Sequence, residues 1–439
     1  MARERIDFAP EADREWKTVG AHTPSDSSET TPAAPGLTEA LAVLKSVWNY
    51  PDFRYHQRKT ILAALNGRDC LAVLPTGGGK SLCFQVPALV LRGLTLVISP
   101  LISLMEDQVG TLEKRGVAAA YLSSTQRPAE QRAVREAMQC GRLKLLYVAP
   151  ERVQQLVGGT APLKVSFLAI DEAHCISEWG HDFRPHFRAL GALRKAMGRP
   201  PTLAVTATAT PETCSDIIRV LDLVKPVQVA QSFDRPNLFF SARHFRHEGN
   251  RVREAARLLR ASRGTAIVYV PTRDRTDGVA TLLRRWGFRS APYHAGLPAS
   301  ARSALLTQFV GGQIDVMIAT NAFGMGIDKP DVRLVIHLGI PSRPEAYFQE
   351  AGRAGRDGEP SRCEMLWTKG DLVLAARMAD VNGRRPHGAA ASHWDAKRRG
   401  LRTMRSYVHT HRCRRRVLLG YLGERLKRCS GCDRCGKAA

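Results

Sequence analysis

Lys80 and Ser81 close the run Pro75-Thr76-Gly77-Gly78-Gly79-Lys80-Ser81, which follows a short apolar segment and opens a helix-length apolar stretch. This is the strand-to-helix context in which a glycine-rich loop cradles phosphates. Thr76, Gly77, Gly78 and Gly79 let the backbone curl so that its N–H groups face a polyphosphate, and the helix N-terminus adds partial positive charge. Lys80 then reaches the outer phosphates and Ser81 ligates magnesium. The position where the general pattern has its first glycine holds Leu74, a departure that leaves the rest of the loop intact.

Magnesium held by Ser81 needs a carboxylate opposite it, at the end of a neighbouring buried strand. The apolar run 167–170 leads into Asp171-Glu172-Ala173-His174. Asp171 is placed to hold the metal through its water shell, and Glu172 to orient and deprotonate an attacking water. An Asp-Glu pair after a strand is by itself common and often marks only an exposed turn. About ninety residues beyond a phosphate loop, it points to hydrolysis of a nucleoside triphosphate such as ATP.

A second cluster lies near the C-terminus, where Cys413 is followed by Cys429, Cys432 and Cys435 in a basic segment. Two-residue spacings between thiols suit tetrahedral coordination of structural zinc. An iron–sulfur cluster is the rival, although its bacterial pattern asks for a fourth nearby cysteine followed by proline, which is absent. The other six cysteines, Cys70, Cys83, Cys140, Cys175, Cys214 and Cys363, are scattered singly and are expected to be core thiols.

These groups need scaffolds to position them. Apolar runs at 71–74, 94–99, 143–148, 167–170 and 203–205 alternate with helix-length segments, the pattern of buried parallel strands in an α/β domain. The pattern pauses around 227–237 and resumes at 266–270, 289–293, 316–319 and 334–337, giving a second α/β domain. Beyond residue 371 strand signals stop and basic helices lead to the cysteines. The expected organisation is a flexible polar tail over 1–36, α/β domains over 37–230 and 231–370, and a basic helical metal-binding module over 371–439.

The formal net charge of +24 points to a polyanionic partner. From Arg384 onward sixteen Lys or Arg face Asp395, Glu424 and Asp433, so 16 − 3 = +13 sits in the last 56 residues, and clustering of that kind favours nucleic acid over a generally basic surface. The N-terminus lacks the apolar core of a secretory signal, and the most apolar stretch, 86–105, is broken by Arg92, Gly93 and two prolines. A cytoplasmic protein with no membrane partner is expected, one that is nucleoid-associated if bacterial.

The string Asp171-Glu172-Ala173-His174-Cys175-Ile176-Ser177-Glu178-Trp179-Gly180-His181-Asp182-Phe183-Arg184-Pro185 resembles the motor box and adjoining aromatic-rich loop of the RecQ family, within the second helicase superfamily. The similarity runs from about Phe53 to Cys435. It implies two tandem RecA-like parallel-sheet domains with a small helical zinc module, and 3′-to-5′ ATP-dependent DNA helicase activity in recombination and repair. The resemblance assigns adenine reading to Gln57, with Arg54 stacking on the base or anchoring the loop. His174 belongs to the motor box. Ser99 and His294 fall in segments that meet DNA, Thr206-Ala207-Thr208 in the segment that couples hydrolysis to movement, and Arg356 with Arg353 in the arginine-finger motif, Gln349 to Gly358. In the aromatic loop Trp179 and Phe183, interleaved with His181 and Arg184, suit stacking on exposed bases while holding phosphates. Cys413-Arg414-Arg415 and the helix after it look like the family's zinc-binding helix.

Single-stranded and tailed or forked duplex DNA are the expected partners; protein partners are not legible. The chain ends at Ala439, without the winged-helix and further helical domains that many family members carry, so poor unwinding of long duplexes is expected. One rival is a translocase that remodels protein–DNA complexes or anneals strands with little unwinding. A noncatalytic scaffold is the other, and it would tolerate loss of Lys80, Asp171, Glu172 or Arg356, all of which are present.

Overall fold

The computed structural model describes residues 36–75, 77–157, 163–177, 184–262, 264–324, 329–381, 386 and 390–436. The tail assigned to 1–36 lies outside this range except for Gly36, as do Thr76, Trp179, His181 and Phe183.

Seven parallel strands form the first sheet: β1 (Cys70–Val73), β2 (Leu94–Ile98), β3 (Ala119–Leu122), β4 (Leu145–Val148), β5 (Val165–Ile170), β6 (Thr202–Thr206) and β7 (Val227–Ala230), in the order β3-β4-β2-β5-β6-β1-β7. Six parallel strands form the second: β8 (Leu238–His244), β9 (Thr265–Tyr269), β10 (Ser290–Tyr293), β11 (Val316–Ala319), β12 (Val332–Leu338) and β13 (Ser361–Trp367), in the order β10-β11-β9-β12-β13-β8. Parallel strands need crossover connections, which put helices on both faces and bury the strands twice over. The apolar runs are the consequence, and all nine expected strands are present within two residues at each end.

Four strands escaped the apolar-run criterion. β3 and β7 are edge strands, and β7 occupies 227–230, where the pattern was read as pausing. β8 ends in Ser241-Ala242-Arg243-His244, and β13 carries Glu364, buried between Ser241 and Arg362. Five of the six single cysteines are buried as expected, but Cys140 is exposed at the end of helix Pro128–Gln139, which buries no side chain.

After β13 the chain is helical, with Ala390–His409 and Arg414–Tyr421 the last two helices. This region caps the open edge of the second sheet. Cys432 forms a parallel bridge with Phe240 of β8, and the Asp433 N–H donates to the Phe240 carbonyl at 3.0 Å. Arg414 donates to the Ala242 carbonyl at 3.1 Å and Arg415 to the Leu238 carbonyl at 2.6 Å, so unpaired strand groups find partners. Both arginines are essentially inaccessible, which removes them from the basic surface counted above. One apolar core runs from the lower face of the first sheet through Phe233, Phe240 and Phe348 to Leu418 and Leu419 of the last helix.

Candidate active site and metal centre

β5, β6 and β1 are adjacent in the first sheet and parallel, so their C-terminal ends meet at one edge. The phosphate loop leaves β1, Asp171 follows β5, and Thr206 closes β6. A crevice at strand C-termini is where open parallel sheets bind ligands.

The loop is braced from helix Tyr55–Leu65. Gln57, 5% exposed, donates Nε2 to the carbonyls of Gly78 at 3.2 Å and Gly79 at 3.3 Å, while its Oε1 accepts from the Arg54 N–H at 2.9 Å. Arg54 donates Nη1 to the Gly77 carbonyl at 2.7 Å. Gln57, expected to read adenine, and Arg54, expected to stack on the base or anchor the loop, therefore both grip the loop itself. Gly79 has φ +69°, and a Cβ there would lie 2.1 Å from Gln57 Nε2, so the close brace needs glycine on two counts. Ser81 stands immediately before helix Leu82–Val90, with Lys80 one residue earlier.

Asp171 is buried and accepts from the Glu172 N–H through Oδ1 at 2.9 Å. Burial first, and the Glu172 charge next, push its carboxyl up to about 7 against the pull of Lys80. Two buried carboxylates beyond the end of β5 supply the hard oxygen donors that, with Ser81, fit a magnesium ion. Glu172 stands in the left-handed region at φ 47°, a strained conformation for a side chain of its size. His174 Nδ1 is 3.3 Å from Glu172 Oε2 and 2.9 Å from the Thr206 hydroxyl, which donates onward to the Thr208 carbonyl. Burial opposes charge on this imidazole, but the Cys175 sulfur and Glu172 outweigh it and push the pKa up to about 10.

Among the residues assigned to DNA, Ser99 is buried, and its hydroxyl has no partner among the described residues. Arg184 donates to the Pro100 carbonyl at 2.7 Å, tying the end of the aromatic segment to the Ser99-Pro100 turn. His294 is 6% exposed and turns Nε2 toward Asp277 at 3.2 Å.

The arginine-bearing loop, 352–358, follows helix Pro344–Ala351, with Arg353 buried and Arg356 partly so. Two residues that sequence reasoning missed hold it. Arg235 donates to the carbonyls of Gly352, Ala354 and Gly355 at 3.3, 3.1 and 2.6 Å, and Asn237 to those of Gly355 and Glu359 at 2.9 and 3.0 Å. Their signal was the polar Asp234-Arg235-Pro236-Asn237 just ahead of β8, read as a pause between domains.

Cys413, Cys429, Cys432 and Cys435 converge with all four sulfurs within 4.8 Å of one another. N–H groups at Arg414, Arg434 and Cys435 pull the Cys432 thiol down despite burial, while burial and its neighbours hold Cys429 up. A tetrahedral set of sulfurs at Zn–S distances of about 2.3 Å fits that cluster.

Three family models match in tandem: DEAD/DEAH box helicase over residues 54–217, helicase conserved C-terminal domain over 250–358, and RecQ zinc-binding over 369–436. The ATP-dependent DNA helicase RecQ of Bacillus subtilis is 39% identical over 91% of this chain and 67% of its own length. The chain belongs to the RecQ family. A probable ATP-dependent DNA helicase RecS of the same organism is 43% identical over 79% of this chain and 70% of that protein. The RecQ helicase of Haemophilus influenzae is 42% identical over 90% of this chain, which spans 63% of that relative's length. In solved structures the fold resembles the DEAD-box helicase Mss116 bound to ssRNA and UDP-BeF, with TM-score 0.63, 17% identity, and 89% of this chain and 90% of that one covered. It also resembles Mycobacterium smegmatis helicase Lhr bound to ssDNA and AMP-PNP, with TM-score 0.57, 19% identity, and 82% and 56% covered. No described helix is long and apolar enough to cross a membrane.

Proposed function

We propose that the chain is an ATP-driven motor that moves 3′ to 5′ along single-stranded DNA and separates tailed or forked duplexes, in the cytosol and in the service of recombination and repair. The convergence of Lys80, Ser81, Asp171, Glu172, His174 and Thr206 at the ends of three neighbouring strands carries this reading. The loop N–H groups and Lys80 bind the polyphosphate, and Ser81 and Asp171 hold magnesium, which neutralises charge on the β- and γ-phosphates. Glu172 orients a water and takes its proton as the water oxygen attacks the γ-phosphorus and ADP leaves. Arg356, with Arg353 beside it, stabilises charge on the transferring phosphoryl group once the domains close. His174 and Thr206 pass the state of the motor box to β6. A strand gripped by Ser99, His294 and the aromatic loop with Trp179, His181, Phe183 and Arg184 is thereby held with unequal affinities through the cycle.

The same reading divides the chain at 37–230, 231–370 and 371–439; the first two units contain the first two family matches, and the third match begins two residues before the last boundary. The four thiols hold one structural zinc ion. Parallel assays of ATPase and unwinding on 3′-tailed, 5′-tailed and forked duplexes test the proposal. Magnesium-dependent turnover raised by single strands, with unwinding from the 3′ tail, is the expected result. Turnover without strand separation would favour the remodelling translocase, and no turnover the scaffold.

A further inference from the structure

Helix Pro344–Ala351 carries a carboxylate in an unusual place. Glu345, at the second residue of this helix, is 2% exposed. Its Oε1 accepts a hydrogen bond at 2.8 Å from the hydroxyl of Tyr421, the last residue of helix Arg414–Tyr421 in the metal-binding region. Its Oε2 is buried with no partner among the described residues. Leaving a carboxylate oxygen unsatisfied in the interior is costly, so such a group calls for a reason.

Two elements meet at Glu345, because Tyr421 comes from the metal-binding module and the helix that carries Glu345 leads into the arginine-bearing loop. Burial pushes the Glu345 carboxyl up, against the pull of Arg343 at the start of the same helix. The arginine-bearing loop begins one residue after the helix ends. Contacts around the pair make the helix and the module one body: the Tyr347 and Tyr407 hydroxyls are 3.1 Å apart, and Gly400 lets helix Ala390–His409 press on Arg343, where a Cβ would come within 2.9 Å of Arg343 Cγ.

We propose that the Tyr421–Glu345 pair is a positioning contact through which the metal-binding module sets the helix that leads into the arginine-bearing loop. Tyr421 fixes one oxygen of Glu345 and with it the first turn of that helix. The module thus acts on hydrolysis as well as on folding. This inference rests on the proposed DNA-stimulated ATPase.

The test uses the full chain with Tyr421→Phe, Glu345→Gln and the double substitution, each checked for zinc content and melting temperature. Tyr421→Phe removes one hydroxyl and is expected to lower DNA-stimulated kcat about tenfold, the rate equivalent of ~1.4 kcal/mol of barrier, while DNA-free turnover and KM for ATP stay within about twofold. Glu345→Gln keeps an amide oxygen that accepts from the Tyr421 hydroxyl, so it is expected to stay within about twofold of the wild type, and the double variant to be no slower than Tyr421→Phe alone. Normal DNA-stimulated kcat in Tyr421→Phe, an equal fall with and without DNA, or losses that multiply in the double variant would overturn the coupling. If Glu345→Gln fails to fold, the comparison of Tyr421→Phe with and without DNA decides alone. A wild-type chain whose turnover ignores DNA would overturn the proposed function, and the coupling with it.

Discussion

His174 Nδ1 lies 2.9 Å from the Thr206 hydroxyl, so the carboxylate box after β5 and the Thr-Ala-Thr segment after β6 are joined by one buried hydrogen bond. Thr206→Val keeps the shape and removes the hydroxyl, which leaves His174 Nδ1 to Glu172 and breaks the link to β6 at a cost of about 1 kcal/mol. The expected result is lower DNA-stimulated turnover with nucleotide affinity retained. Binding of a fluorescent ATP analogue measured beside steady-state ATPase checks it, and a matching fall in both would assign Thr206 to nucleotide binding instead.

Lys80→Ala and Glu172→Gln separate binding from chemistry. The lysine is proposed to be the positive charge that the loop aims at phosphate, so its loss is expected to abolish turnover and weaken ATP binding together. Glu172→Gln keeps the side chain's size and removes the proposed base, so ATP is expected still to bind and hydrolysis to fall by about 10²–10⁴-fold. Near-normal turnover in either variant would refute the site.

The motor site was largely legible because its chemistry is local. A glycine run between a strand and a helix, and a carboxylate pair ending an apolar run, each fix their own neighbourhood, and parallel topology brings the two together. What could not be read was the bracing between distant segments. Gln57 and Arg54 grip the loop some twenty residues away, a pairing that depends on how helix Tyr55–Leu65 docks. The last sixteen basic residues looked alike in sequence, yet Arg414 and Arg415 are buried against β8 while their neighbours face outward. Edge strand β7, paired with one neighbour only, breaks its apolar pattern at Gln228, whereas β3 lies within the apolar run 117–122 and was missed for no such reason.

Asp69 and Arg194 form a buried pair at 2.6 Å that ties the start of β1 to the helix before β6. Asp69 also accepts from the Thr202 and Val224 N–H groups at 3.0 and 2.7 Å. Arg194→Ala strips one partner and leaves the other charge buried, a loss of roughly 3–5 kcal/mol in unfolding free energy. Urea denaturation is the measurement, and a midpoint like that of the wild type would show the pair to be dispensable.

Removing the metal tests the C-terminal region. The Cys432 backbone is bridged to Phe240, and Asp433 pairs with Arg414 at 2.5 Å, so the cysteine cluster and the edge of the second sheet form one structure. Chelation, or Cys432→Ser, is expected to free this edge, lower the soluble yield and expose residues after 410 to protease. Elemental analysis is expected to return one zinc per chain. Iron, or a visible absorbance band, would reassign the site to a cluster.

Arg235 is expected to govern the rate of hydrolysis without touching nucleotide. Its guanidinium donates to three carbonyls of the arginine-bearing loop, those of Gly352, Ala354 and Gly355, and burial holds its pKa below the ordinary arginine value. Asn237 adds two further bonds to the same loop, so Arg235→Ala leaves the loop attached and lets it shift. A displacement of about 1 Å at a positioned catalytic group costs up to about 10²-fold in rate. The fall is expected in kcat, because Arg356 is proposed to act on charge that develops during transfer, and the KM for ATP is expected to stay near the wild-type value. Arg235→Lys restores one donor of the fork and is expected to recover only part of the rate, since a point charge cannot span three carbonyls. A rise in KM with unchanged kcat would place Arg235 in nucleotide binding and leave the loop's position to Asn237.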